Sequence, residues 1–181
     1  MGCAVARCSP NIAAVKPRLA NPSDTPELLR LATLMYESMG LDASDGAWRS
    51  RATSLLAERL GGDEVVMFAV DDPERPGRLA SCGGAAVVQR VPGPTTPTGR
   101  WGYVQWMATE PAYRRRGLAR SVFAAILEWL EERGVTHVEL HATPAGEPLY
   151  RSFGFSPPAS PEFRRIGDGA RSRRANRRSA R

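Results

Sequence analysis

One segment constrains the fold more than any other, the run Gln105–Arg120. It begins as an extended stretch, turns at Glu110-Pro111, passes three consecutive arginines and enters a helix at Gly117. The apolar residues of that helix recur every four positions: Leu118, Val122, Ile126 and Leu130. Because this spacing lines one helical face with apolar side chains, the helix must be buried against a partner layer. A strand running directly into such a helix predicts an α/β chain.

The remaining patterns predict one domain built around this segment. Strand-like and helical stretches follow the order β-α-α-β-β-β-α-β-α-β, which is typical of one mixed, mostly antiparallel sheet flanked by helices. One helix begins near Pro26 and ends at Gly40, and Phe155 opens a final strand or extended segment. Further helices are predicted at 45–60, 118–133 and 147–153. Strands are predicted at 15–19, 64–70, 79–91, 101–109 and 136–142.

The distribution of charge separates a folded part from two tails. The chain of 181 residues has a net charge of +6, but residues 164–181 hold eight arginines and a single acid, so the rest is close to neutral. A Gly/Ser/Ala/Arg segment cannot bury a core. We therefore expect a disordered N-terminal extension at 1–14, one domain at 15–166 and a basic disordered tail at 167–181.

Composition also excludes several classes of protein. The longest apolar run is Val65 to Val70, whereas a membrane span needs about 20 residues. Three cysteines do not make a disulfide framework, and residues 1–15 fit neither a secretory nor a myristoylation signal, which together predict a cytoplasmic protein. His137 and His141 lie four apart on a predicted strand, which separates their rings, so no metal site is expected.

The basic loop before the long helix has the character of an anion site. Free N–H groups at a helix N-terminus and the helix dipole both favour negative charge, and Arg114–Arg116 add cations. A nucleoside-triphosphate loop is excluded because Leu118 follows Gly117, and the spaced glycines of a dinucleotide fingerprint are absent. The alternative is that the arginines are solvated loop charges.

Two motifs together resemble the GNAT superfamily of acyl-CoA-dependent N-acyltransferases. The first is R/Q-x-x-G-x-G/A, present as Arg114, Gly117 and Ala119. The second is the closing motif L-Y-x-x-x-G-F, present as Leu149, Tyr150, Gly154 and Phe155. The resemblance covers about 15–155, and it implies the fold described above and acetyl transfer from acetyl-CoA, as cosubstrate, to an amine.

The resemblance also implies which residues bind acetyl-CoA. The pantetheine arm would pair like an extra strand with the backbones of Met107 and Thr109. An asparagine common before the closing helix of the family is missing here, and Thr143 is the only candidate in its place. The pyrophosphate would be held by the basic loop and the first turn of the helix: Arg114, Arg115, Arg116, Gly117, Leu118, Ala119 and Arg120.

For the chemistry, the resemblance implies direct attack of a neutral amine on the thioester. A backbone N–H near Met107 would stabilise the oxyanion, and Tyr150 would protonate the departing thiolate. The alternative for Tyr150 is a core aromatic packing beside Phe153. His141 is the leading general base, with Glu139 and Glu147 as lesser candidates, although His141 could instead serve only packing. Gln105 could orient substrate or water.

The acceptor is expected to be a small-molecule or peptide amine. Its recognition should come from the first two helices and the 92–100 loop, including the residues Met35, Tyr36, Glu37 and Trp48. Two other functions stay open: a CoA-binding regulatory module without turnover, and a nucleic-acid-associated protein acting through the arginine-rich tail. The tail lacks interleaved aromatics, which disfavours nucleic acid. A homodimer is possible, because dimers are frequent in similar proteins.

Overall fold

The computed structural model describes residues 16–163 and 165. The chain divides into two compact units, one up to Thr143 and one from Pro144 onward. The predicted extension at 1–14 and the tail at 167–181 lie outside the described residues.

The first unit contains one five-stranded sheet in the order β1-β2-β3-β4-β5. Neighbouring strands are antiparallel except for β4 and β5, which run parallel. The strands are β1 (Arg18–Leu19), β2 (Val65–Asp71), β3 (Leu79–Gln89), β4 (Arg100–Thr109) and β5 (His137–Glu139). β2 reads as an uninterrupted apolar run because it is central and covered on both faces.

Three helices cover the sheet, and their ends follow local chemistry. Asn21 and Asp24 form a capping box for the short 3-10 turn that leads into the first helix. The Asp45 side chain accepts a hydrogen bond from the Ala47 N–H and so caps the second helix. The helices of this unit are α1 (Thr25–Ser38), α2 (Gly46–Arg59) and α3 (Leu118–Glu132).

The core lies on both faces of the sheet. On one face, Leu28 and Leu31 of α1 pack with Leu56 of α2 against Met67 and other buried strand residues. On the other face lies α3, whose predicted apolar residues are all buried: Leu118, Val122, Ile126 and Leu130. The sheet is thus held between two helical layers, as the sequence predicts.

The second unit contains a single short helix, α4 (Glu147–Arg151), among its described residues. Residues 155–163 form no strand, so the segment opened by Phe155 is not a sixth strand. β5 is also shorter than its predicted range of 136–142. The alternating sequence pattern continues to residue 142, but β5 pairs with only three residues of β4 and therefore ends at Glu139.

Candidate functional site

The C-terminal half of β4 is an open strand edge. β5 pairs only with the start of β4, Trp101 with His137 and Tyr103 with Glu139. Beyond Tyr103, no described strand lies on that side of β4, whereas β3 stays paired on the other side as far as Thr109. The N–H and C=O groups of such an edge can pair with another extended chain.

Within this edge, β4 carries a β-bulge at Trp106. The register with β3 shifts between the pairs Gly84–Gln105 and Cys82–Ala108, which leaves one extra residue on β4. Trp106 has φ 55°, in the left-handed region that bulky residues rarely adopt. A bulge re-aims the backbone groups next to it, here those of the following residue.

Residues of β3 and α1 hold the bulge. The Cys82 thiol donates to the Trp106 carbonyl oxygen at 3.6 Å, and burial raises the pKa of Cys82 to about 12, so this thiol stays protonated. A Cβ added to Gly83 would lie 2.3 Å from the Met107 sulfur, so the glycine makes room for that side chain. The Trp106 indole N–H donates to the Tyr36 hydroxyl at 3.0 Å.

Three aromatic side chains meet at the bulge, and we call them the aromatic cluster: Tyr36, Trp48 and Trp106. Their rings are arranged edge to face, with centroids 5.6 Å apart for Tyr36 and Trp48 and 6.3 Å for Trp48 and Trp106. Tyr36 and Trp48 are two of the residues from which the sequence predicts acceptor recognition. The structure brings both to the bulge of β4.

The loop that follows β4, residues 110–117, turns sharply before α3. Its backbone is left-handed at Arg115, with φ 63°, and at Gly117, with φ 85°. The Arg114 guanidinium donates to the Thr109 carbonyl oxygen at 3.2 Å. Arg114–Arg116 are all exposed, so their charges face solvent.

The N-terminus of α3 is open at the end of this basic loop. The first bond within the helix runs from the Ser121 N–H to the Gly117 carbonyl at 3.1 Å. The N–H groups of Leu118 and Ala119 therefore have no acceptor inside the helix. In the described structure no side chain caps this end, and an added Cβ on Gly117 would meet nothing within 4 Å. Uncapped N–H groups and the helix dipole make this end suitable for an anion.

A buried carboxylate braces the basic loop. Asp72, whose side chain is fully buried, accepts a 2.6 Å hydrogen bond from the Tyr113 hydroxyl. Burial raises the pKa of the Asp72 carboxyl, but the hydrogen bonds from Tyr113 and from the Glu74 N–H outweigh it, and the pKa is lowered. The same bond, together with burial, raises the pKa of Tyr113 to about 12. The Arg116 guanidinium lies 5.4 Å from the centroid of the Tyr113 ring.

A second set of contacts fixes the start of the loop. The Glu110 carboxylate binds the Arg30 guanidinium, which also donates to Glu27 at 3.0 Å. Arg30 further donates to the Leu79 carbonyl at 2.9 Å, and the Leu79 N–H donates to Glu27 at 3.0 Å. Because these groups are mostly buried, their charges compensate one another and tie α1 to the ends of β3 and β4.

Two polar residues of β5, His137 and the base candidate Glu139, have partners at the far end of the sheet. The His137 ring lies 4.0 Å from that of Trp101, and its Nδ1 is 3.4 Å from the Thr96 hydroxyl. Glu139 forms a salt bridge of 2.8 Å with Arg90. The 92–100 loop therefore contributes Thr96 to this end and not to the bulge.

His141, the leading general-base candidate, lies two residues beyond the end of β5. Its side chain is exposed, and its ring is 5.9 Å from that of Tyr103 in an edge-to-face arrangement. Tyr103 is the last residue of β4 that pairs with β5, so His141 lies where the two strands separate. Thr143, the last residue of the first unit, is half-buried.

In the second unit, the closing motif forms a compact turn. The Tyr150 side chain is buried, and this burial raises the pKa of its phenol, which therefore stays protonated near neutral pH. Gly154 has φ 87°, and the Phe155 N–H donates to the Tyr150 carbonyl at 3.2 Å, so a left-handed glycine ends this helix. Glu147, the remaining base candidate, forms a salt bridge of 2.7 Å with Arg151.

Apart from Thr143, the predicted binding residues of the first unit lie in one stretch of the chain, from Met107 on the bulged edge to Arg120 in α3. The sequence patterns did not predict the bulge residue Trp106 or the brace formed by Asp72 and Tyr113. Gly83-Gly84 was the available signal for the bulge, because paired glycines opposite a strand leave room for an irregular partner. The brace gave no such signal, because Asp72 and Tyr113 are far apart in the chain.

The described residues contain neither a membrane-crossing helix nor a metal-binding cluster. None of their helices is both long and apolar enough to cross a bilayer. Within the same residues, no three His, Cys, Asp or Glu side chains come together in a way that could hold a metal ion.

Comparison with known proteins identifies a family. Residues 27–155 match the model of the acetyltransferase (GNAT) family. Glucosamine 6-phosphate N-acetyltransferase 1 of Oryza sativa subsp. japonica is 32% identical over 112 residues, which are 62% of this chain. The matched region spans 64% of that relative, less than two thirds of its length.

Solved structures have the same fold. A protein of Clostridium acetobutylicum, described as a predicted acetyltransferase and crystallised with acetyl-CoA, has a TM-score of 0.74 at 22% identity. The match covers 84% of this chain and 96% of that protein. A GCN5-related N-acetyltransferase of Ralstonia eutropha JMP134 has a TM-score of 0.72 at 25% identity. That match covers 85% of this chain and 100% of the Ralstonia chain. The predicted fold is thereby confirmed.

Proposed function

Because the chain belongs to the acetyltransferase (GNAT) family, we propose that it transfers the acetyl group of acetyl-CoA to a primary amine by direct attack of the amine on the thioester. One observation carries the proposal: the bulged open edge of β4 leads directly into the basic loop and the uncapped N-terminus of α3. We assign this activity to one domain at 15–166.

The basic loop and α3 bind the pyrophosphate of the cosubstrate in this proposal. The backbone N–H groups from Arg115 to Ala119 donate to phosphate oxygens, and the left-handed residues Arg115 and Gly117 turn the chain toward them. Arg114, Arg116 and Arg120 supply positive charge. The exposure of the loop arginines and the open space at Gly117 support this assignment.

The open edge of β4 binds the pantetheine arm. Its amides pair with the backbones of Met107 and Thr109 as an added strand would, which aligns the thioester along β4. The bulge at Trp106 supports a second role for Met107, whose N–H donates to the oxyanion that develops on the carbonyl oxygen. Thr143 is our proposed contact on the opposite side.

Two side chains move protons. His141 accepts a proton from the incoming amine, directly or through water, because only a neutral amine has the lone pair needed for attack. Tyr150 donates its proton to the departing thiolate, which its raised pKa supports because the phenol is fully protonated beforehand. Gln105 orients the amine or a water. Glu139 and Glu147 stay lesser candidates for the base, because each is engaged in a salt bridge with an arginine.

The binding step is tested by titrating acetyl-CoA calorimetrically into the wild type, Gly117→Asp and Gly117→Asn. The two substitutions have the same size and the same left-handed backbone requirement, and they differ in charge. We expect affinity to fall on the order of 100-fold in Gly117→Asp, and by less than about fivefold in Gly117→Asn, because a carboxylate repels the pyrophosphate. Equal losses, or no binding by the wild type, would contradict the anion site.

The chemical step is tested by Tyr150→Phe and His141→Gln. Each should lower kcat on the order of 100-fold while acetyl-CoA affinity stays unchanged, because each removes one proton transfer. Full activity of Tyr150→Phe would reduce Tyr150 to a packing residue. Acetyl-CoA binding with no turnover of any amine would favour the regulatory module.

A further inference from the structure

We propose that the acceptor amine carries an aromatic or similarly apolar body, the class of arylalkylamines, and that the aromatic cluster holds this body beside the thioester. The inference rests on the proposed acetyl transfer and names the acceptor for the same site. The position of the cluster is its first support. Trp106 is itself the bulge residue and directly precedes Met107, whose N–H is the proposed oxyanion donor.

The hydrogen-bond inventory of the cluster is the second support. The Trp106 indole N–H donates to the Tyr36 hydroxyl at 3.0 Å, and the Trp48 indole N–H donates to the Ala43 carbonyl at 3.2 Å. An indole has a single N–H and no acceptor, so neither tryptophan has a further hydrogen-bonding group in its side chain. All three residues are only half-buried, so part of this aromatic surface is open to solvent. Such a surface favours apolar and aromatic bodies.

The charge next to the cluster is the third support. Arg49 donates to the Thr33 hydroxyl at 2.8 Å, and its guanidinium lies 5.5 Å from the Trp48 ring centroid. This guanidinium lies against the Trp48 ring, a contact typical of a flat aromatic surface. A sugar phosphate, the acceptor class named for the rice relative, would need several donors to replace its hydration, and neither tryptophan of the cluster has an N–H left to donate.

The test compares 2-phenylethylamine with ethylamine, which share the two-carbon primary amine and differ in the ring. We expect kcat/KM with the wild type to be higher for 2-phenylethylamine by a factor on the order of 100, since burying a ring in an apolar site contributes a few kcal/mol. Glucosamine 6-phosphate is included as the polar acceptor. It should be used more slowly than 2-phenylethylamine.

Two substitutions then locate the ring-binding surface. In Trp48→Leu the preference for 2-phenylethylamine over ethylamine should fall at least about tenfold, and Trp48→Phe, which keeps a ring, should retain most of it. Trp101→Leu is the matched control, because Trp101 is a half-buried tryptophan at the other end of β4. It should leave the preference unchanged. Calorimetry with acetyl-CoA should give the wild-type affinity in all three variants.

The outcomes separate the acceptor class from the activity itself. Equal use of the two amines, faster use of glucosamine 6-phosphate, or an unchanged preference in Trp48→Leu would overturn the arylalkylamine proposal while leaving acetyl transfer intact. Acetyl-CoA binding without any turnover of 2-phenylethylamine would also overturn it. Failure of the wild type to bind acetyl-CoA would instead overturn the proposed function.

Discussion

At one end of β4 the polar groups are bonded to other parts of the protein, whereas at the other end part of the strand edge pairs with no described strand. At the N-terminal end, which we call the closed end, Trp101 lies between the Arg90 guanidinium, 4.1 Å from its ring centroid, and the His137 ring at 4.0 Å. Arg90 in turn forms a salt bridge with Glu139, and Thr96 contacts His137. A strand pairs on each side of β4 there.

At the C-terminal end, the open end, the same strand loses its β5 neighbour, bulges at Trp106 and leads into an uncapped helix. The Cys82 thiol bonds the Trp106 carbonyl, and the Glu110 carboxylate binds Arg30, so the backbone is held in place. The edge of β4 that faces away from β3 pairs with no described strand here. A stable site needs both properties, because binding groups must be fixed in position without being satisfied internally. The closed end stabilises the fold, and the open end is available for substrate.

The largest expected effect compares two glycines, Gly84 at the open end and Gly102 at the closed end. A Cβ on Gly84 would lie 2.4 Å from the Val66 carbonyl oxygen, so a central strand must shift, whereas a Cβ on Gly102 would meet only the ends of the Leu130 and Val135 side chains at 3.0–3.3 Å. We expect Gly84→Ala to lower the free energy of unfolding by about 3 kcal/mol and Gly102→Ala by less than about 1 kcal/mol. Chemical denaturation of both variants measures this. Equal losses would show that the close approach of β2 to Gly84 places no special demand on β3.

Much of the fold could be predicted from the sequence because its signals are local. The four-residue repeat from Leu118 to Leu130 and the caps at Asn21 and Asp45 define helices without reference to the rest of the chain. The basic loop could be predicted for the same reason, because its arginines and glycine are contiguous. The ends of β5 could not, because a strand ends where its partner departs and the pattern of 136–142 says nothing of β4.

The parts of the site that depend on distant pairs escaped prediction. Trp106 occupies a left-handed conformation that its residue type argues against, and contacts from Cys82 and Tyr36 hold it there. Asp72 and Tyr113 likewise meet only once β2 and β4 are paired through β3. Tyr36 and Trp48 could be named as acceptor candidates, but their convergence on the bulge required the folded chain.

An intermediate effect tests the brace under the open end. Tyr113→Phe keeps the ring beneath Arg116 and removes the hydroxyl that donates to Asp72. We expect the KM for acetyl-CoA to rise about fivefold, near 1 kcal/mol, with kcat changed less than about twofold, because the loop is loosened while the reacting groups are untouched. Initial rates over a range of acetyl-CoA concentrations measure both constants.

The matched control is Thr96→Val, which removes a buried hydroxyl at the closed end, where it contacts His137. It should lower the melting temperature and leave the KM for acetyl-CoA unchanged. If Tyr113→Phe behaves in the same way, the bond to Asp72 stabilises the fold only, and the two ends of β4 do not differ in this respect.

The smallest expected effect is at the closed end itself. Glu139→Gln breaks the salt bridge to Arg90, in which both side chains are nearly half exposed, so the free energy of unfolding should fall by about 0.5 kcal/mol or less. The kcat should change by less than about twofold, because Glu139 pairs with Arg90 at the end of β4 away from the bulge. A fall in kcat on the order of 100-fold, with the affinity for acetyl-CoA unchanged, would identify Glu139 as the general base. His141 would then be a packing residue, and the end of the sheet that we describe as closed would be part of the reaction site.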